Sequence, residues 1–143
     1  MSAASPMLRL DPRRLEQLKA IAAASGTSHA GVVTQIIREK IAAGVIPADI
    51  PGVTVFKTAS GVAIELTAGH RQEYRTSAAL RLAQTIRGVV GGSEPPVVNL
   101  DAGFAVLKQG TGFKIAAPFP GPEVGFPADL ALDLADLIEG AAK

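Results

Sequence analysis

The sequence predicts an α+β chain in two parts: a small strand–helix–helix unit, then a larger domain built on a repeated strand–strand–helix pattern. Three observations carry this prediction. Between Met7 and Ile41 the apolar residues change from period-two alternation to two stripes at helical spacing. Gly44–Gly52, GVIPADIPG, holds two prolines and two glycines and reads as a linker. Beyond it, two blocks of sequence recur in the same order at nearly the same offset. The expected boundaries are 1–46 for the first unit, 47–52 for the linker and 53–143 for the repeat domain, with copies over 53–92 and 103–143.

In Met7-Leu8-Arg9-Leu10, Leu8 and Leu10 share one face of a strand and Met7 and Arg9 the other. Asp11 then caps a helix that opens on Pro12, where a missing N–H costs nothing. Leu15, Leu18, Ile21 and Ala22 form its stripe. Gly26 supplies a left-handed stop, and Ser28 is a new N-cap. Val33, Ile36, Ile37 and Ile41 make a second stripe, which ends at Gly44 ahead of Pro47. A unit of roughly 40 residues seldom closes a core without a staple, and the chain has no cysteine. Pairing the strand with the same strand of a second copy would resolve this, giving a two-stranded ribbon over four helices.

On these residues the unit resembles the ribbon-helix-helix family, the Arc and MetJ type of bacterial repressor. Leu8 and Leu10, Asp11-Pro12, Leu15, Leu18 and Ile21, Gly26-Thr27-Ser28, and Val33, Ile37 and Ile41 carry the resemblance, which covers residues 5–44. It implies an obligate homodimer whose ribbon enters the major groove of double-stranded DNA, with the second helix starting on phosphates. The outward strand positions that would read bases are Ser5, Met7 and Arg9. Arg9 suits guanine O6 and N7, Ser5 bonds either way, and Met7 offers only apolar contact. Thr27, Ser28 and His29, with Arg13 and Arg14 as auxiliaries, would hold phosphates.

In the repeat domain Thr54–Ile64, TVFKTASGVAI, lies on Ala105–Ile115, AVLKQGTGFKI, at an offset of 51. Leu80–Gly88, LRLAQTIRG, lies on Leu132–Gly140, LDLADLIEG, at an offset of 52. Each copy reads as two strands about a Gly-containing turn, a loop and a helix, with Ser77 capping the first helix and Pro127 beginning the second. The expected stripes are Leu82, Ala83, Ile86 and Val90, and Leu130, Leu134, Leu137, Ile138 and Ala141. Two such ββα units predict a four-stranded antiparallel sheet with two helices on one face. Arg81, Gln84 and Arg87 on the first helix match Asp133, Asp136 and Glu139 on the second, as two solvated faces or as a polarised docking surface.

Composition narrows the function. The net charge is +1, unevenly spread: residues 1–47 hold six Lys/Arg against three acids, and 97–143 hold three against six. A dimer would present a modestly positive N-terminal unit. Aromatics at 4%, with no Trp, leave little for base stacking. Zero cysteines exclude disulfides, thiolate metal sites and cysteine catalysis. No window reaches about 18 consecutive apolar residues, and MSAASP lacks the basic and apolar regions of a signal peptide. The reading is a soluble, cytoplasmic protein with no membrane partner.

No metal-ligand cluster, serine-nucleophile elbow or phosphate loop occurs, so neither an enzyme nor a cofactor is expected. His70 falls in the polar stretch Gly69–Arg75, read as a surface loop in which Arg71 and Arg75 are the candidate anion contacts. Pro118–Pro127, with Phe119 and Phe126, reads as a loop packed over the sheet edge. The expected function is a dimeric, sequence-specific DNA-binding protein, as a transcriptional repressor or a plasmid partition or relaxosome accessory factor. The alternative is a protein-binding module or inhibitor that uses the N-terminal unit only to dimerise and meets a protein partner through the C-terminal domain.

Overall fold

Asp11 Oδ1 accepts a hydrogen bond from the Arg13 amide at 2.9 Å and starts helix α1, Pro12–Ser25. The computed structural model describes residues 6–143, which divide after Pro47 into two compact units. Gly26 at φ 69° stops α1, and the Thr27 amide donates to the Ala22 carbonyl across the turn. Ser28 Oγ accepts from the Gly31 amide at 3.0 Å and starts α2, His29–Ala42. Gly44 at φ 78° closes that helix, with the Val45 amide donating to the Lys40 carbonyl. The expected strand at Met7–Leu10 is not formed: Pro6–Leu10 belong to no sheet. A strand is completed by its ladder partner, and among the described residues none pairs with this segment.

The second unit contains strands β1 (Thr54–Lys57), β2 (Gly61–Glu65) and β3 (Arg71–Arg75), then α3 (Thr76–Gly91). Strands β4 (Val97–Asn99), β5 (Phe104–Gln109), β6 (Gly112–Ala116) and β7 (Val124–Phe126) follow, and α4 (Ala128–Ala142) ends the chain. All pairs are antiparallel, in two sheets ordered β1-β2-β3 and β4-β5-β6-β7. This corrects the expected single four-stranded sheet of ββα units. Each half carries a further strand before its helix, where a loop was expected. Strand β3 escapes pattern reading because only Tyr74 among its five residues is apolar. Strand β7 is three residues long and follows a Pro-rich stretch. Ser77 is not a cap: α3 starts at Thr76, and its N-cap position, Arg75, makes no side-chain cap bond.

One core holds both sheets and both helices. Val62, Ile64 and Tyr74 from the first sheet join Phe104, Val106, Phe113, Ile115 and Phe126 from the second. Ala79, Leu82, Ala83 and Ile86 of α3 are completely buried, as are Ala131, Leu134, Ala135 and Ile138 of α4. The two sets are the same residue types at the same spacing, 52 residues apart. Helix α3 packs on β2 and β3 of its own half and on β5 of the other, while α4 packs on β1 and β2 as well as on β6 and β7. Burial of this apolar surface is the dominant stabilising term for the unit.

Polar contacts lock the halves in register. The Tyr74 hydroxyl donates to the Gly103 carbonyl at 2.7 Å, and burial pushes its pKa well above the usual tyrosine value. Arg87 forks across the helix pair, 2.8 Å from Asp136 and 2.6 Å from Glu139. Of the matched charges, Arg87 of α3 therefore faces both Asp136 and Glu139 of α4 across this contact. The Arg87 hydrogen bond, and then its charge, hold the Glu139 carboxyl below its ordinary 4.5.

Gly61 begins β2 with its Cα hard against the Tyr74 carbonyl, and an added Cβ would collide with that backbone oxygen. Gly112, its counterpart in β6, would bring a Cβ to 3.3 Å from the Phe126 carbonyl. Gly61→Ala is therefore expected to destabilise the second unit by about 1–3 kcal/mol, read from denaturant unfolding, while Ala68→Gly in the exposed β2–β3 turn serves as the mild control. Glu139 contributes stability that is present above its unfolded pKa and is lost as the pH falls through its lower folded value. The thermal midpoint should fall on acidification below about pH 5, and Arg87→Ala should flatten that fall. An unchanged pH profile in the variant would remove Arg87 as the cause.

Candidate functional site

Helices α1 and α2 meet through very little. Among the described residues of the N-terminal unit only Ala22 and Val32 are buried. Leu15, Leu18 and Ile41 are half-buried. Leu8 is 82% exposed, Ile21 50%, Ile36 45% and Ile37 46%, with Leu10 and Val33 also exposed. The stripes seen in the sequence are thus split: Ala22 is buried and Leu15, Leu18 and Ile41 are half-buried, while Ile21, Val33, Ile36 and Ile37 stay exposed and Val32 is buried in place of Val33. Isolated exposed apolar residues are ordinary, but a row of them on two adjacent helices with almost no core beneath is not.

The predicted base-reading residues fall at the start of this unit. Met7 is 86% exposed and Arg9 is exposed, both on the unpaired segment before α1. Ser5 lies outside the described residues. Of the predicted phosphate contacts, Thr27, Ser28 and His29 are brought together at the start of α2. Ser28 Oγ is the cap acceptor and keeps its O–H free to donate. Thr27 Oγ1 lies over the first turn, against Gly31, in space that a Cβ on Gly31 would fill. His29 is the first, exposed residue of the helix.

Arg13 and Arg14 lie elsewhere. The fourteen residues of α1 put roughly 20 Å along its axis between them and the Thr27–His29 turn. The Arg13 guanidinium is bidentate on Asp11, with Nε to Oδ1 and NH2 to Oδ2 both at 3.0 Å. These bonds hold the Asp11 carboxyl below its usual value and raise Arg13. Arg14 donates to Gln17 Oε1 at 3.0 Å. Sequence reasoning missed Gly31 and Val32. A glycine in the first turn of a helix was the available sign for Gly31, and the four-residue spacing of Val32 to Ile36 was the sign for Val32.

In the second unit, His70 is exposed just ahead of β3. Arg71 lies 3.4 Å from Glu65 and stacks 5.1 Å above the Phe56 ring, and Glu73 accepts from Thr58 and Ser60. These contacts turn the expected polar loop into the solvated face of a sheet. Phe126 is buried in the core, and Phe119 is half-buried. Among the described residues no group of three or more His, Asp or Glu side chains converges as a metal ion would require, and no helix is long and apolar enough to cross a membrane.

Comparison with protein-family models, with characterised proteins and with solved structures finds no match to this chain. The cap that presents Thr27–His29 can be tested directly. Ser28→Ala is expected to cost about 1 kcal/mol of α2 stability, measured by helicity during urea titration of the full chain. Retention of wild-type helicity throughout would show that the cap does not hold this turn.

Proposed function

We propose that the chain is a homodimeric, sequence-specific double-stranded-DNA-binding protein acting as a transcriptional repressor or as a plasmid partition or relaxosome accessory factor. The observation that carries the reading is the N-terminal unit with two buried residues among those described and a row of exposed aliphatics. A second copy set against that face would bury Ile21, Val33, Ile36 and Ile37, and would give Met7–Leu10 the strand partner it lacks. Each fully buried Ile or Val adds about 1.5–3 kcal/mol, so the face is ample to hold two copies together.

The ribbon-helix-helix resemblance supports the DNA assignment, with Arg9 as the chief base reader and Thr27, Ser28 and His29 at phosphates. Arg13, already paired with Asp11, is the weaker phosphate candidate. That pairing, with Met7 in a reading position, favours the second reading: a dimeric protein-binding module that acts through its C-terminal domain. The C-terminal domain itself is read as an internal duplication of a βββα unit. Support comes from the repeated Ala, Leu, Ala and Ile core of the helices and from Gly61 and Gly112 facing equivalent carbonyls.

Sedimentation of the full chain should give a dimer, and Ile37→Glu should give a monomer whose C-terminal unit melts as in wild type. A wild-type monomer at tens of micromolar would overturn the dimer. For DNA, Arg9→Ala should weaken binding to a duplex selected from a random pool by about 1–3 kcal/mol in a mobility-shift titration. Nonspecific affinity should fall steeply with salt. A dimer with no duplex binding even at low salt would favour the protein-binding reading.

A further inference from the structure

Strands β1-β2-β3 and β5-β6-β7 are neighbours in the same order, so the two halves can be compared position by position. Gly61 opens β2 and Gly112 opens β6. Two residues further on, Ala63 is paired with Glu73 of β3, and Lys114 with Gly125 of β7. The turns ahead of these glycines match as well. Thr58 and Ser60 in the first half stand where Gln109 and Thr111 stand in the second.

The first half fills this place with a carboxylate. Glu73 Oε1 accepts from Thr58 Oγ1 at 2.9 Å and from Ser60 Oγ. Those bonds, Ser60 first, hold the Glu73 carboxyl below its usual value. The second half has a glycine for the acid and a cation for the alanine opposite it. A Cβ built on Gly125 would meet nothing within 4 Å. A shallow pocket of about 320 Å³ opens there, and its lining includes Gln109, Thr111, Lys114, Gly125, Pro127 and Ala128. Lys114, half-buried, is the one charged residue among the described residues that line it. Glu123 and Asp129, the acids on either side in the sequence, do not line it. Among the described residues the side chains of Gln109, Thr111 and Lys114 make no hydrogen bond or ion pair.

We propose that this pocket binds a small carboxylic acid with an apolar body, its carboxylate taking the place that Glu73 fills in the other half. Charge selects an acid. Residues paired across a ladder have their Cβ positions about 5 Å apart, so an acid seated at Gly125 lies within reach of the Lys114 ammonium. The Thr111 hydroxyl and the Gln109 amide supply the donors that Ser60 and Thr58 supply to Glu73. Pro127 and Ala128 offer an apolar wall for the rest of the ligand. Size selects a small molecule, because the pocket is at the lower end of the roughly 300–1,000 Å³ of such sites. The inference rests on neither the dimer nor DNA binding.

Titration of the full chain with phenylpropionate, followed by amide NMR, tests it. That acid ends in the two methylenes and the carboxylate of a glutamate side chain. The Thr111, Gly112, Lys114 and Gly125 amides should shift saturably, while those of Gly61, Ala63 and Glu73 stay in place. Phenylpropanol, which lacks the charge, should leave all of them in place. Lys114→Ala should weaken binding of the acid about tenfold. Gly125→Glu should abolish it by supplying the carboxylate from within, which the open space around Gly125 permits. The comparison of acid with alcohol uses the wild-type chain, so it stands whatever the variants do to stability. Equal shifts with acid and alcohol, or no saturable shift up to about 10 mM acid, would overturn the inference. Wild-type affinity in Lys114→Ala would overturn it as well.

Discussion

Two short helices cannot bury their own apolar faces, and that constraint governs how this chain can work. Among the described residues of the N-terminal unit only Ala22 and Val32 are buried, while Leu8, Ile21, Ile36 and Ile37 stay in water. The local signals are nonetheless in place, with Asp11 and Ser28 as caps and Gly26 and Gly44 as left-handed stops. Caps and turns set where helices begin and end, but each contributes about 1 kcal/mol and none replaces a core. The proposed dimer is the arrangement in which these correct local choices acquire a tertiary reason.

The C-terminal unit meets the same constraint within one chain. Its helices carry equivalent Ala, Leu, Ala and Ile sets, and each helix packs on strands from both halves. The alanines let the helices approach closely, and the larger residues fill the space beneath the sheets. Arg87 then bridges to Asp136 and Glu139 at the rim of the helix pair, where charges keep part of their hydration. One unit thus completes its core internally, while the other leaves its face open, and the division of labour proposed for them follows from that difference.

Much of this was legible in the sequence. Helical stripes located all four helices, capping chemistry placed the starts of α1 and α2 but not of α3, and glycine-centred alternation located the hairpins of β1 with β2 and β5 with β6. Strand β3 was missed because Arg71, Glu73 and Arg75 face solvent and leave one apolar residue, Tyr74, to announce it. The segment Met7–Leu10 alternates as a strand should, yet alternation describes a face and not a partner. At the candidate site, the grouping of Thr27, Ser28 and His29 follows from the Ser28 cap. The Asp11–Arg13 pair depends on rotamers that no spacing encodes.

The central claim is that the N-terminal helices depend on a second copy while the C-terminal unit does not. Amide hydrogen exchange of the full chain over a dilution series tests it most directly. Protection of α1 and α2 should fall as the protein is diluted, while protection of α3 and α4 stays constant. Protection of α1 and α2 that is independent of concentration down to the lowest dilution, in a chain that sediments as a monomer, would contradict it.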